Sequence, residues 1–211
     1  VSYLPIRPRI NEQVGASERL AFRYLVRRGV SPEQIALYRL GYANSGKYCG
    51  YVIVPIVRRR EVIYFVARSF LGGNGARKYL NPSRDEVGGI GKSELLFNYD
   101  RVSYAPILTI TEGVFDAIAV GTNAVALLGK TISDVQLALL ENLRVRRIRV
   151  MLDEDARAEC YTMVDQLNDA GFDATPALVD GDPSSSRGRA VDVLPSFTGR
   201  VEALLAQGGR R

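Results

Sequence analysis

The 211 residues carry 28 Lys and Arg against 23 Asp and Glu, a net charge of +5, with no histidine and only two cysteines, Cys49 and Cys160. That inventory excludes imidazole-based catalysis and leaves too few soft ligands for a zinc finger or a disulfide framework. No stretch approaches the roughly 20 apolar residues a membrane span needs, and the start "VSYLPIRPRI" lacks the apolar centre of a signal peptide, so a cytoplasmic protein without membrane contact is expected.

The charge is unevenly spread. Residues 1–105 hold 17 Lys and Arg against 8 Asp and Glu, net +9, whereas residues 106–211 hold 11 against 15, net −4. A basic half suits nucleic acid, whose phosphates release counterions on contact, and clustered carboxylates suit hard divalent cations such as Mg²⁺. In the basic half, "ERLAFRYLVRRG" (18–29) predicts a helix with Leu20, Tyr24 and Leu25 on its inner face, stopped by Gly29. Ser31 and Pro32 start the next helix. "YVIVPIV" (51–57) and "EVIYFVA" (61–67) predict a hairpin with Arg58, Arg59 and Arg60 at its tip.

"GGNGARK" (72–78) and "GGIGK" (88–92) read as loops that bring Lys78 and Lys92 to a phosphate backbone. The longer "GGIGKS" (88–93) imitates the end of a phosphate-binding P-loop. Glu86 stands where that motif begins with glycine, however, and the preceding "LNPSRDEV" is polar and turn-prone, which argues against an ATPase. Tyr48, Tyr51, Tyr64, Phe65 and Tyr79 are interleaved with basic residues. At strand spacing most such rings are core, and Tyr79 is the one singled out for stacking on a base.

The acidic half alternates strands and helices. "PILTIT" (106–111), "AVALLG" (124–129), "RRIRVMLD" (146–153) and "ATPALVD" (174–180) predict strands. Between them lie a helix from Val114 to about Val120, a helix over 132–143 that Ser133 caps, and a helix from Arg157 to Ala170 stopped by Gly171. This is an α/β pattern, a parallel sheet with right-handed crossovers and flanking helices, preceded by a smaller basic α+β subdomain. Open parallel sheets bind ligands beyond the carboxyl ends of their strands. Here three of those ends are acidic: Glu112 with Asp116 a turn behind, Asp153 with Asp155, and Asp180 with Asp182. A lone Asp116 would more often serve the helix dipole. Three clusters drawn together would repel strongly unless one or two cations neutralised them, which predicts Mg²⁺, with Mn²⁺ as a substitute.

"TEGVFDAIA" (111–119), "MLDEDA" (151–156) and "DGDP" (180–183) together resemble the TOPRIM domain. "RYLVRRGVSPEQIALYRLGYA" (23–43), "PIVRRREVIYFVARSF" (55–70), "RKYLNP" (77–82) and "GKSELLFN" (91–98) resemble, in order, the basic subdomain of the catalytic core of bacterial (DnaG-like) primases. The likeness implies a basic subdomain over 1–105, a TOPRIM metal-binding domain over 106–195 and a C-terminal helix and tail over 196–211. It assigns Glu112, Asp116, Asp153, Asp155 and Asp182 to the metal centre, with Glu112, Asp153 and Asp155 catalytic and Glu112 also a base. It sets Arg68, Lys78, Asn81 and Lys92 against nucleic acid or nucleotide phosphates. The reaction it implies is synthesis of short RNA primers from ribonucleoside triphosphates on single-stranded DNA. The partners implied are a separate zinc-binding module and a replicative helicase.

Two departures stand out. Arg157 follows "DEDA" where the family usually has glycine, and "SSSRGRAVDVLP" (184–195) offers Asp192 as an alternative to Asp182. The stripped-down core hints at a phage or plasmid origin. A TOPRIM nuclease would keep the same acids without needing the "KYLN" segment, and a non-catalytic replication or repair module would keep the fold alone.

Overall fold

The structure, a computed structural model, describes residues 3–6, 15–71, 77–102 and 104–177. Asp180, Asp182, Asp192 and the predicted C-terminal helix lie outside the described residues. The chain forms two compact units, Val1–Lys92 and Ser93–Arg211. No helix among the described residues is long and apolar enough to cross a membrane.

In the first unit, strands β1 (Leu4–Pro5), β2 (Gly41–Ala43), β3 (Tyr51–Arg58) and β4 (Glu61–Ser69) form an antiparallel sheet in that order. β3 and β4 are the predicted hairpin. Its tip turns through Arg59 (φ 52°) and Arg60 (φ 71°), the left-handed pair that matches a two-residue turn to the twist of the strands. Helices α1 (Ala16–Arg27) and α2 (Pro32–Leu37) precede β2. Ser31 starts α2 with a reciprocal cap, its hydroxyl accepting from the Gln34 N–H while Gln34 Oε1 accepts from the Ser31 N–H. In α1 the expected inner face is only partly right. Leu25 is buried and Tyr24 half-buried, but Leu20 is exposed, because the inward row runs Glu18, Ala21, Leu25 at helical spacing.

Tyr48, Tyr51, Tyr64 and Phe65 are buried, with Tyr48 edge-on to Phe65 at 5.0 Å between ring centres. They are core, whereas Tyr79 is exposed. Glu86, the residue that spoils the P-loop pattern, is a structural anchor. It caps a 3-10 turn (Arg84–Val87) through the Ser83 N–H and accepts from Lys47 at 2.8 Å, which holds its carboxyl down to about 2. "GGIGKS" thus follows a turn and not a strand.

The second unit is a parallel sheet. Strands β5 (Leu108–Thr111), β6 (Ala124–Ala126), β7 (Arg147–Met151) and β8 (Asp173–Pro176) lie in the order β6-β5-β7-β8. Helix α3 (Val114–Val120) joins β5 to β6, α4 (Asp134–Glu141) joins β6 to β7, and α5 (Arg157–Asp169) joins β7 to β8. Leu139 and Leu140 of α4 and Cys160, Met163, Val164 and Leu167 of α5 share one core cluster with Ile110, Val125, Ile148 and Val150 of the sheet. The crossover from β5 to β6 runs away from the other two, so right-handed connections place α3 on the opposite face. Gly171, at φ 89°, ends α5 as expected. The buried Cys160 thiol is pushed up to about 11 by desolvation, which makes it a packing residue and not a nucleophile. Leu95, Leu96 and Phe97 also belong to this unit: they are buried, Leu96 lies in the same cluster, and Phe97 bridges to Ala126.

Candidate active site

The strand order creates the site. From β5 the chain crosses to β6 on one side, and from β7 it crosses to β8 on the other, so the loops leaving β5 and β7 diverge and open a crevice between them. Thr111 pairs with Met151 and with Ala126, so all three strands end at one level. Glu112 leaves β5 there, Asp153 starts a 3-10 turn (Glu154–Ala156) just beyond β7, and Lys130 follows β6 through Gly129.

Backbone bonds fix these exits. The Thr111 hydroxyl lies 3.1 Å from the Gly113 carbonyl and 3.2 Å from that of Val125. The Leu128 N–H donates to the Glu112 carbonyl at 2.9 Å. Leu128 takes φ 62°, uncommon for a residue with a side chain, and this turns the chain out of the sheet. β6 therefore ends at Ala126, short of the predicted Gly129. The turn after β7 is closed by the Asp153 carbonyl, which accepts from the Ala156 N–H at 2.9 Å, and not by its carboxylate.

The side chains that meet in the crevice share one charge problem. Burial pushes the Glu112 carboxyl up from its ordinary 4.5, Asp153 adds to the rise, Lys130 opposes it, and Asp155 and Glu159 add further. Glu112 Oε2 is buried with no hydrogen-bond partner. A buried orphan oxygen is costly, and a cation is what would satisfy it. Lys130 Nζ donates to Asp155 Oδ2 at 2.6 Å, which holds that carboxyl down. Among the described residues no three Asp, Glu, Cys or His side chains already converge to hold an ion. The oxygen-only donor set and the orphaned Glu112 oxygen nevertheless fit a hard divalent cation. Asp153 and Asp155 both act electrostatically on Glu112, and Asp116 is buried over the start of α3, where its Oδ2 would sit 2.7 Å from a Cβ at Gly113. Asp182 lies outside the described residues. Lys130 and Glu159 were not singled out from sequence. Lys130 sits beyond the end of β6, the fourth of the strand ends at which such sheets place their chemistry.

The raised Glu112 carboxyl has a testable sign. A proton bound more tightly in the folded state stabilises it below the ordinary carboxylate value, and that stability is lost as pH rises through the raised one. Without metal, Glu112→Gln is expected to melt higher than the native chain at pH 8 and no higher at pH 4. Parallel thermal melts in chelator check this.

The residues matched to phosphate contacts lie in or at the end of the first unit. Arg68 sits near the end of β4, its Nε donating to the Tyr24 hydroxyl at 3.0 Å and its guanidinium 4.4 Å from the centre of the Tyr79 ring. Lys78, Tyr79 and Asn81 follow on an exposed segment that runs beside β4, where Tyr79 bridges to Arg68 and the Leu80 N–H donates to Ala67. Lys92 opens a separate 3-10 turn (Lys92–Glu94).

No family model matches the chain. It is 28% identical to the DNA primase of Deinococcus radiodurans over an alignment covering 87% of the chain and 41% of that protein. Among solved structures, it resembles the Aquifex aeolicus primase, solved with its zinc-binding and RNA polymerase domains, with a TM-score of 0.67 and 20% identity over 83% of this chain and 59% of that one. It also resembles a DnaG primase catalytic domain bound to single-stranded DNA, with a TM-score of 0.69 and 21% identity over 82% of this chain and 68% of that one. The chain thus spans less than half the length of its Deinococcus relative. It carries the fold of the catalytic core of DnaG-type primases, the family its sequence resembles.

Proposed function

We propose that the chain is a primer-synthesising core that joins ribonucleotides on a single-stranded DNA template by divalent-metal-dependent nucleotidyl transfer. The observation that carries this reading is the buried, unpartnered Oε2 of Glu112 at the crevice that also receives Asp153 and Asp155. The sequence match to a DNA primase supports it. In the TOPRIM pattern, Glu112, Asp153 and Asp155 would hold Mg²⁺ or Mn²⁺, joined by Asp116 and Asp182. When bound, such an ion lowers the pKa of a ribose 3′-hydroxyl and neutralises triphosphate charge. The resemblance also gives Glu112 a second task, as the base that would accept the proton the hydroxyl gives up. Nothing in this scheme needs imidazole.

The basic unit would hold the template. Arg68, Lys78, Asn81 and Lys92 are assigned to phosphates, and Tyr79, which already stacks on Arg68, offers its exposed ring to an unpaired base. Tyr79→Ala is expected to weaken single-stranded DNA binding by about 1 kcal/mol, roughly fivefold, with little change in the salt dependence, whereas Lys78→Ala should flatten the salt dependence by about one counterion. Fluorescence anisotropy across a salt series separates the two. A zinc-binding module and a replicative helicase are the proposed partners, and the cytoplasm the proposed location. The reading is tested by incorporation of labelled ribonucleotides on single-stranded DNA. RNA formed with Mg²⁺ or Mn²⁺ and lost on chelation is expected. Failure to form RNA with either ion, even when a zinc-binding module is supplied, would sink it.

A further inference from the structure

Lys130 is a cation placed where the family reading puts metal ions, and its position is built with care. The turn that presents it is tied to the site's central acid by the Leu128 N–H to Glu112 carbonyl bond, and the left-handed Leu128 sets its direction. Its other side is held by Gln136, whose Nε2 donates to the Leu127 carbonyl at 2.9 Å. From this fixed base the flexible lysine stem reaches Asp155 at 2.6 Å. Both partners are open to solvent, so the pair is no structural staple, and exposed pairs of this kind add little to stability.

A divalent ion bound through Asp155 and an ammonium 2.6 Å from the same carboxylate repel each other strongly. The two compete for it. Resting on the metal-dependent reading above, we propose that Lys130 is a tethered cation that occupies Asp155 in the metal-free protein and passes to the triphosphate when a divalent ion takes Asp155. An ammonium displaced from a carboxylate needs another anion, and lysine serves phosphates as a mobile point charge. The hand-over makes metal and nucleotide enter together, and it disfavours idle metal binding to the empty site.

The test uses the full chain, Mn²⁺ as the ion and inorganic tripolyphosphate as the phosphate probe, with binding read by electron paramagnetic resonance and calorimetry. Lys130→Met is expected to bind Mn²⁺ alone about fivefold more tightly and Mn²⁺–tripolyphosphate about fivefold more weakly. Lys130→Arg, which keeps the charge, should stay close to the native chain in both. Unchanged Mn²⁺ affinity in Lys130→Met overturns the proposal, and so do two affinities that move in the same direction or a triphosphate affinity that does not move. Glu112→Gln separates this from the reading beneath it. If the native chain binds Mn²⁺ and Glu112→Gln does not, the metal reading stands whatever Lys130 does; if the two behave alike, that reading fails and the hand-over with it.

Discussion

Glu112→Gln and Asp153→Asn are each expected to lower nucleotidyl transfer by roughly 10²–10³-fold while leaving single-stranded DNA binding intact. Each substitution keeps the side chain's shape and removes its charge. The buried Oε2 of Glu112 has no protein donor to lose, so its replacement does not break the fold, and its value lies in what it would hold. The expected binding surface for template lies on other residues, Arg68 and the 77–81 segment, which neither change touches. Kinetics over a range of nucleotide and Mn²⁺ concentrations check the assignment. A loss confined to the Michaelis constant would instead mean that these acids act only in substrate capture.

Gln136→Ala is expected to be the most damaging of the substitutions considered, at about 3 kcal/mol and a melting temperature lower by roughly 6–12 °C. Gln136 is 1% exposed and joins three segments. Its Nε2 donates at 2.9 Å to both the Leu95 and the Leu127 carbonyl, and its Oε1 accepts from the Ser133 N–H at 3.1 Å. Truncation leaves two buried carbonyls without donors, undoes half of the reciprocal cap on α4, and frees the turn that presents Lys130. Gln136→Met distinguishes the causes, since it refills the volume but restores no hydrogen bond. It should melt nearly as low as Gln136→Ala, and a near-native melt would assign the effect to packing.

The parallel sheet was legible because β-branched runs alternate with capped, amphipathic segments. The cap at Ser133 and the stop at Gly171 both form as read. The acids at the ends of β5 and β7 were legible for the same reason, since strand ends are where such sheets place chemistry. Strand lengths were not. β6 stops at Ala126 because Leu128 turns left-handed to bond Glu112, a tertiary choice that "AVALLG" does not announce. Leu20 was misread because a buried Glu18 sits on the inward face of α1, and a charged residue there overrides the apolar pattern. Lys130 went unseen because a lysine after a strand is ordinary until the fold sets it against Asp155.

The most direct measurement is to incubate the chain with single-stranded DNA, labelled ribonucleotides and Mg²⁺ or Mn²⁺, with and without a zinc-binding module, and to score RNA synthesis and DNA cleavage in the same tubes. Template-dependent RNA that disappears with Glu112→Gln and with Asp153→Asn is the predicted result. Metal-dependent nicking without RNA would place the same acids in a nuclease, and DNA binding with neither product would make the chain a non-catalytic module; either contradicts the primer-synthesising account.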